Sequence, residues 1–195
     1  MNPKHIILAS ASPRRKVILQ KAGIDFTVEE SLYTEPLHTN EDPHEFVKHL
    51  AFQKALAVAQ KHRHAIVIGA DTTIVCEGIV CEKPGTPEKA IEMLQLLSGK
   101  KHAVLTGYAV IDGTTGTSVV NADTSYVWFK KLTERDIQWY IQTGEPLDKA
   151  GAYAIQELGG KFVEKFEGDY DNIVGLPVKK VVEIIKKFLQ IARDQ

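Results

Sequence analysis

Ser10-Ala11-Ser12-Pro13-Arg14-Arg15 places two hydroxyls and two guanidinium groups within six residues, directly after the apolar run His5 to Ala9. That order predicts a strand passing into a helix. Ser12 suits the N-cap, and Pro13 suits the first helical position, where its missing N–H costs nothing. Backbone N–H groups and the positive end of the helix dipole then face the same turn as the Ser10 hydroxyl and the forks of Arg14 and Arg15. Such a turn can cradle an anion, most naturally phosphate. An arginine pair in a first helical turn is also how a solvated face looks, so the motif takes its meaning from residues further along.

Those residues carry the complementary chemistry. Ala65-Ile66-Val67-Ile68-Gly69-Ala70 is a continuous apolar run, the pattern of a strand covered on both faces, and it leads into Asp71. In open α/β sheets the ligand crevice lies beyond the carboxyl ends of strands, so an aspartate there is placed for chemistry. Thr72 to Cys76 continue as β-type sequence, which argues against Asp71 being a helix cap. Lys54 lies in the helical stripe of Phe46, Val47, Leu50, Ala51, Ala55 and Val58. It either snorkels out along its stem or meets an anion. Ser10, Arg14, Arg15, Glu35, Lys54, Asp71, Lys83 and Gln156 together suit a polyphosphate: the basic groups bind oxygens, while the carboxylates hold a divalent ion and activate water. Magnesium favours such oxygen ligands and needs only one or two carboxylates beside phosphate oxygens.

The elements that must position these residues follow from periodicity and punctuation. The spacing predicts helices over Arg14 to Lys21, stopped by Gly23, and over Pro43 to Lys61. Phe26 to Glu30 is an expected strand, and Ser31 to Asp42, which holds Glu35 and His38, an expected loop. Glu77-Gly78 turns the chain between Thr72–Cys76 and Ile79–Glu82. A helix opens at Thr86-Pro87 and ends at Gly99, a long hairpin pairs His102–Ile111 with Thr117–Phe129, and Thr133 caps a helix to about Gln142. Asp148 to Gln156 is less regular; its glycine and alanines let a backbone approach a ligand closely, or only make a tight bend. Lys161 to Phe166 is an expected strand, and Val178, Val181, Val182, Ile185, Phe188 and Leu189 form the docking face of a last helix.

Composition narrows the classes. A length of 195 residues suits one large domain or one domain with two lobes, and the expectation is a single domain over residues 1–195. The net charge of −1 argues against bulk binding to nucleic acid or anionic membrane, so phosphate recognition must be local. No apolar stretch approaches the roughly 20 residues of a membrane span, and no signal peptide is evident, so the expected location is cytoplasmic. A two-residue turn at Glu77-Gly78 pairs Cys76 with Ile79 and leaves Cys81 out of register for a bridge, so both cysteines are expected as free thiols.

Leu8-Ala9-Ser10-Ala11-Ser12-Pro13-Arg14-Arg15, Ile68-Gly69-Ala70-Asp71-Thr72, Glu82-Lys83-Pro84, Leu97-Ser98-Gly99, Glu145-Pro146-Leu147-Asp148-Lys149-Ala150-Gly151-Ala152-Tyr153 and Val174-Gly175-Leu176-Pro177 closely resemble the Maf family of nucleoside triphosphate pyrophosphatases. The resemblance covers nearly the whole chain in order. It implies an α/β fold like that of the inosine triphosphate pyrophosphatases: a central mixed, strongly twisted sheet flanked by helices, in two lobes with a cleft. It also implies a homodimer and cleavage of a nucleoside triphosphate to monophosphate and pyrophosphate, dependent on a divalent cation, magnesium or manganese. Asp-Lys-Ala-Gly-Ala-Tyr followed by Ile155-Gln156 looks like the branch acting on dTTP and UTP rather than on 7-methyl-GTP.

Carried over by motif, Asp71 is the proton acceptor, and Arg14, Thr72 and Gln156 correspond to positions tied to base selectivity. Ser10, Arg15, Lys54 and Lys83 correspond to the triphosphate-binding set, to which the Arg14 guanidinium also belongs. Asp71 and Glu35 are the expected metal ligands. Glu157 is a departure, since glycine is expected after the glutamine. The rival from another class is a nucleotide-sensing regulator of septum formation with little turnover, which would not need Asp71 beside a phosphate cradle. A nearer rival is the same chemistry on another or a modified nucleotide.

Overall fold

A computed structural model of the chain describes residues 4–36 and 41–191. His5–Leu8 forms β1 and Pro13–Lys21 forms α1, with Ser12 at the N-cap accepting from the Arg15 N–H and Pro13 in the first turn. Thr27–Val28 is β2. It is shorter than the expected Phe26 to Glu30, because it is an edge strand with both side chains exposed, paired to the four-residue β1. Residues 31–36 form no regular element; residues 37–40, His38 among them, lie outside the described residues. Pro43–Ala59 is α2, opened by the Asp42 carboxylate, which accepts from the N–H groups of His44 and Glu45.

Ala65–Cys76 is β3, Ile79–Cys81 β4, Pro87–Leu97 α3, Lys101–Asp112 β5, Ser118–Phe129 β6 and Glu134–Gln142 α4. Val163–Glu167 is β7, Tyr170–Val174 α5 and Val178–Ile191 α6. Short 3-10 turns form at Glu145–Asp148, Ala150–Ala152 and Leu158–Phe162, and of these the second lies wholly within the less regular stretch Asp148 to Gln156. The last of these absorbs the start of the strand expected at Lys161, so β7 begins at Val163. The short helix α5 was not anticipated.

The strands hydrogen-bond in the order β2-β1-β3-β5-β6-β7, with β4 also on β3. β1 runs parallel to β2 and β3, whereas β4 is antiparallel to β3 and β7 to β6. The sheet is therefore mixed, in an α/β chain, as expected. In the β3–β4 pairing Cys76 lies opposite Ile79, and Cys81 opposite Ile74. Both cysteines are buried free thiols.

The chain divides into two units: Met1–Asp71, Thr106–Asp123 and Gly175–Gln195 form one, and Thr72–Leu105 and Thr124–Val174 the other. In the first, α2 buries Phe46, Val47, Leu50, Ala51, Ala55, Val58 and Ala59. Each of the larger side chains contributes about 1.5–3 kcal/mol on leaving water. Ala51, Ala55 and Val58 pack with Ile7, Val67, Ala109 and Ile111 from the strands. In the second unit the core gathers Ile74, Leu94, Leu97, Val127, Phe129, Tyr140, Tyr153 and Phe162.

Candidate active site

The first unit assembles the predicted cradle. Ala9 donates its N–H to the Ile68 carbonyl at 2.7 Å, continuing the β1–β3 pairing and fixing where the chain leaves the sheet. Ser10 is buried beyond that point, and its hydroxyl oxygen accepts from the Ser12 N–H at 3.3 Å and from Arg15 Nη1 at 3.1 Å. With both lone pairs engaged, the Ser10 hydroxyl keeps its proton to donate, which suits a phosphate oxygen.

Arg15 is more constrained than a surface cation. Nη1 also donates to the Ala70 carbonyl at 2.9 Å, and Nε donates to the Gly175 carbonyl at 2.8 Å. The guanidinium thus ties the β1–α1 turn to β3 and to the segment before α6. Burial lowers its pKa, and Arg14 lowers it further, while Asp71 and Glu35 oppose the shift. A cation held at that cost, with two carboxylates in its field, fits a site meant for anionic oxygens. Arg14, in the first turn of α1, is partly buried.

Asp71 lies within β3, which continues unbroken past it; the strand was expected to lead into this residue. What stops before Asp71 is its parallel neighbour, whose last paired residue, Leu8, lies opposite Ile68. The aspartate therefore sits past the carboxyl end of β1, where an open sheet offers room for a ligand. Lys54 Nζ donates to Asp71 Oδ1 at 2.6 Å and pairs with Glu35 Oε1 at 2.8 Å. The side chains of Lys54 and Asp71 are each 13% exposed and that of Glu35 46%. Of the two readings left open for Lys54, the structure shows the second: its ammonium meets anions.

Helix α2 comes close enough to make this contact because Gly69 has no side chain. A Cβ there would stand 2.2 Å from the Ala51 carbonyl oxygen and 2.8 Å from the Ala55 nitrogen. Asp71 and Glu35 converge on one cationic nitrogen, so an oxygen-only donor set of two carboxylates is at hand. That set suits magnesium or manganese once substrate oxygens and water complete the shell. No cluster of three or more His, Cys, Asp or Glu side chains able to hold a metal occurs among the described residues.

The second unit carries the other predicted residues. Thr72 follows Asp71 directly and is partly buried. Lys83 is exposed just after β4, in a segment held by two backbone bonds: the Gly151 N–H to the Glu82 carbonyl at 3.2 Å and the Gly85 N–H to the Leu147 carbonyl at 3.0 Å. Gln156 is exposed on a turn. Glu157, where glycine was expected, has φ −113° and ψ −156°, an extended conformation open to any residue, so the departure requires no backbone change. Sequence reasoning gave no role to Lys149. Its side chain is only 9% exposed, and its ammonium pairs with Asp148 and stands 4.0 Å from Glu157. Its burial was not visible in a mixed, aperiodic stretch.

A strand–turn–helix anion cradle, next to a lysine held by two carboxylates on a mixed sheet, defines an α/β protein equipped to handle phosphate. The sequence model of the Maf-like protein family matches residues 5–188, and the chain belongs to that family. It is 46% identical over 184 residues to a dTTP/UTP pyrophosphatase of Geobacillus sp. (strain WCH70), covering 94% of this chain and 98% of the relative. It is 43% identical over 187 residues to the dTTP/UTP pyrophosphatase of Clostridioides difficile (strain 630), covering 96% of each. The protein of the same name from Moorella thermoacetica is 46% identical over 183 residues, with 94% of each chain covered.

Proposed function

We propose that this chain, acting as one catalytic domain, hydrolyses dTTP and UTP to the nucleoside monophosphate and pyrophosphate. The observation that carries the reading is the Lys54 ammonium held between Asp71 and Glu35, with Arg15 bonded to the carbonyl of Ala70, the residue before Asp71. Relatives at 43–46% identity over nearly the full length, named for this activity, support it.

In this reading Ser10, Arg14, Arg15, Lys54 and Lys83 bind the triphosphate oxygens. Asp71 Oδ1 accepts from Lys54, and in this reading the other carboxylate oxygen, Oδ2, takes the proton of the attacking water. The water oxygen bonds to the α-phosphorus, the bond from that phosphorus to the α-β bridging oxygen breaks, and pyrophosphate leaves. The charge developing on pyrophosphate is met by Lys54, Lys83 and the arginines. Asp71 and Glu35 would hold a divalent cation, magnesium or manganese, which when bound supplies charge neutralisation and lowers the pKa of water. Arg14, Thr72 and Gln156 select the base; a glutamine amide can donate and accept at once on a pyrimidine edge.

The protein works as a homodimer in the cytoplasm, in nucleotide-pool housekeeping or division control, without membrane or nucleic acid as a partner. No helix among the described residues is long and apolar enough to cross a membrane. The test is separation of products from dTTP, UTP, CTP, GTP and 7-methyl-GTP with magnesium or manganese. Pyrophosphate with dTMP or UMP supports the reading. Tight binding without turnover would instead make the chain a nucleotide sensor.

A further inference from the structure

The turn bearing Gln156 is fastened to a polar hub to which the site described above gives no role. Tyr140, on α4, is fully buried and donates its hydroxyl proton to Glu145 Oε1 at 2.6 Å. Burial and the bond to Glu145 raise the pKa of this phenol, and the backbone of Ala154 opposes the rise. Glu145 then accepts two more backbone N–H groups, from Leu158 to Oε2 and from Gly159 to Oε1, each at 3.1 Å. The hub therefore grips the chain two and three residues after Gln156.

The grip is reinforced on both sides. Tyr153 is buried, with its hydroxyl 2.8 Å from His102 Nε2 and its ring edge-on to Phe129. Gly159 lies so close to the hub that a Cβ would stand 2.5 Å from the Tyr140 oxygen. Between the anchors the Glu157 N–H closes onto the Ala154 carbonyl at 3.3 Å, which leaves Gln156 exposed at the tip of a short, tied loop. A carboxylate that accepts from two backbone N–H groups and a tyrosine is a strong local fixing point, since hydrogen bonds to a charged group are about twice as strong as neutral ones.

We infer that Glu145, with Tyr140, is a positioning residue for base selection: it holds the Gln156 turn in the conformation that reads the pyrimidine edge. The inference rests on the proposed role of Gln156. A preorganised amide discriminates between bases, whereas an amide on a loose loop adapts to either. Neither Glu145 nor Tyr140 touches phosphate in this account, so pyrophosphate binding should not depend on them.

The experiment measures kcat/KM for UTP and CTP, and inhibition by inorganic pyrophosphate, in wild type, Glu145→Gln, Tyr140→Phe and Gln156→Ala. Glu145→Gln is expected to lower the UTP-to-CTP ratio about tenfold, one hydrogen bond's worth of discrimination, with pyrophosphate inhibition unchanged. Tyr140→Phe removes only the hydroxyl and should lower the ratio less; it carries the test alone if Glu145→Gln does not fold. If Gln156→Ala loses discrimination while the hub variants keep the ratio, or lose activity equally on UTP, CTP and pyrophosphate, the positioning role is overturned and that of Gln156 stands. If Gln156→Ala keeps its discrimination, the base-reading role falls and the inference falls with it.

Discussion

Lys54 Nζ stands 2.6 Å from Asp71 and 2.8 Å from Glu35, so one ammonium joins the residue assigned as general base to the second expected metal ligand. The lysine keeps two carboxylates close together without mutual repulsion. Its position on α2 makes the geometry of the base depend on how that helix meets β3.

Asp71→Asn keeps the shape and the contact to Lys54 but cannot take a proton. Turnover of dTTP and UTP should fall roughly 10² to 10⁴-fold, while KM changes little. Steady-state kinetics check this; near-normal turnover would remove Asp71 from the role.

Lys54→Met leaves Asp71 and Glu35 without their shared cation. The variant should bind Mn²⁺ more tightly in the absence of nucleotide, and should have a higher KM for triphosphate because a phosphate ligand is lost. Manganese titration followed by electron paramagnetic resonance reads the first effect. Unchanged or weaker manganese affinity would separate the two carboxylates from metal binding.

Gly69→Ala tests the approach of α2. The added methyl collides with the Ala51 carbonyl oxygen, and backbone on both sides must shift. A loss of about 1–3 kcal/mol or more in denaturant unfolding is expected. Turnover should fall too, because Lys54 moves with the helix. Wild-type stability would show that α2 and β3 have slack at this contact.

His102 makes stability fall in acid. It is buried in the second unit with Nδ1 lacking a partner among the described residues, and burial lowers its pKa from 6.5 to about 4. The unfolded chain takes up a proton there below about pH 6.5 that the folded chain refuses until about pH 4, so acid favours unfolding across that window. The contribution lost is up to about 3 kcal/mol. His102→Gln, which does not titrate, should flatten that part of the stability-against-pH curve.

The cysteines should be inert in the folded protein. Burial raises both thiol pKa values, that of Cys81 to about 11. A thiol reagent should modify neither at neutral pH until denaturant is added, and then both, with no disulfide to reduce first. Fast reaction in the native protein would contradict their buried placement in β3 and β4.

Much of this was legible because it is local. Ser12 and Pro13 announce the start of α1 by capping chemistry, and the Cys76–Ile79 register follows from a two-residue turn. Lys54 in an apolar stripe signals a partner, but naming Glu35 requires knowing where an aperiodic loop comes to rest. Glu145 was hidden for a related reason. In the sequence Glu145 is only the first residue of a family motif, whereas the role of its carboxylate comes from N–H groups thirteen and fourteen residues away. The edge strand β2 was overextended because alternation cannot report how short its neighbour is.

The most direct test of the central claim is hydrolysis of dTTP in ¹⁸O-labelled water with magnesium, followed by mass spectrometry of both products. Attack on the α-phosphorus places the label in dTMP and none in pyrophosphate, at a rate that collapses in Asp71→Asn. Label in pyrophosphate would mean attack on the β-phosphorus and would contradict the assignment of Asp71 as the base that directs water to the α-phosphorus.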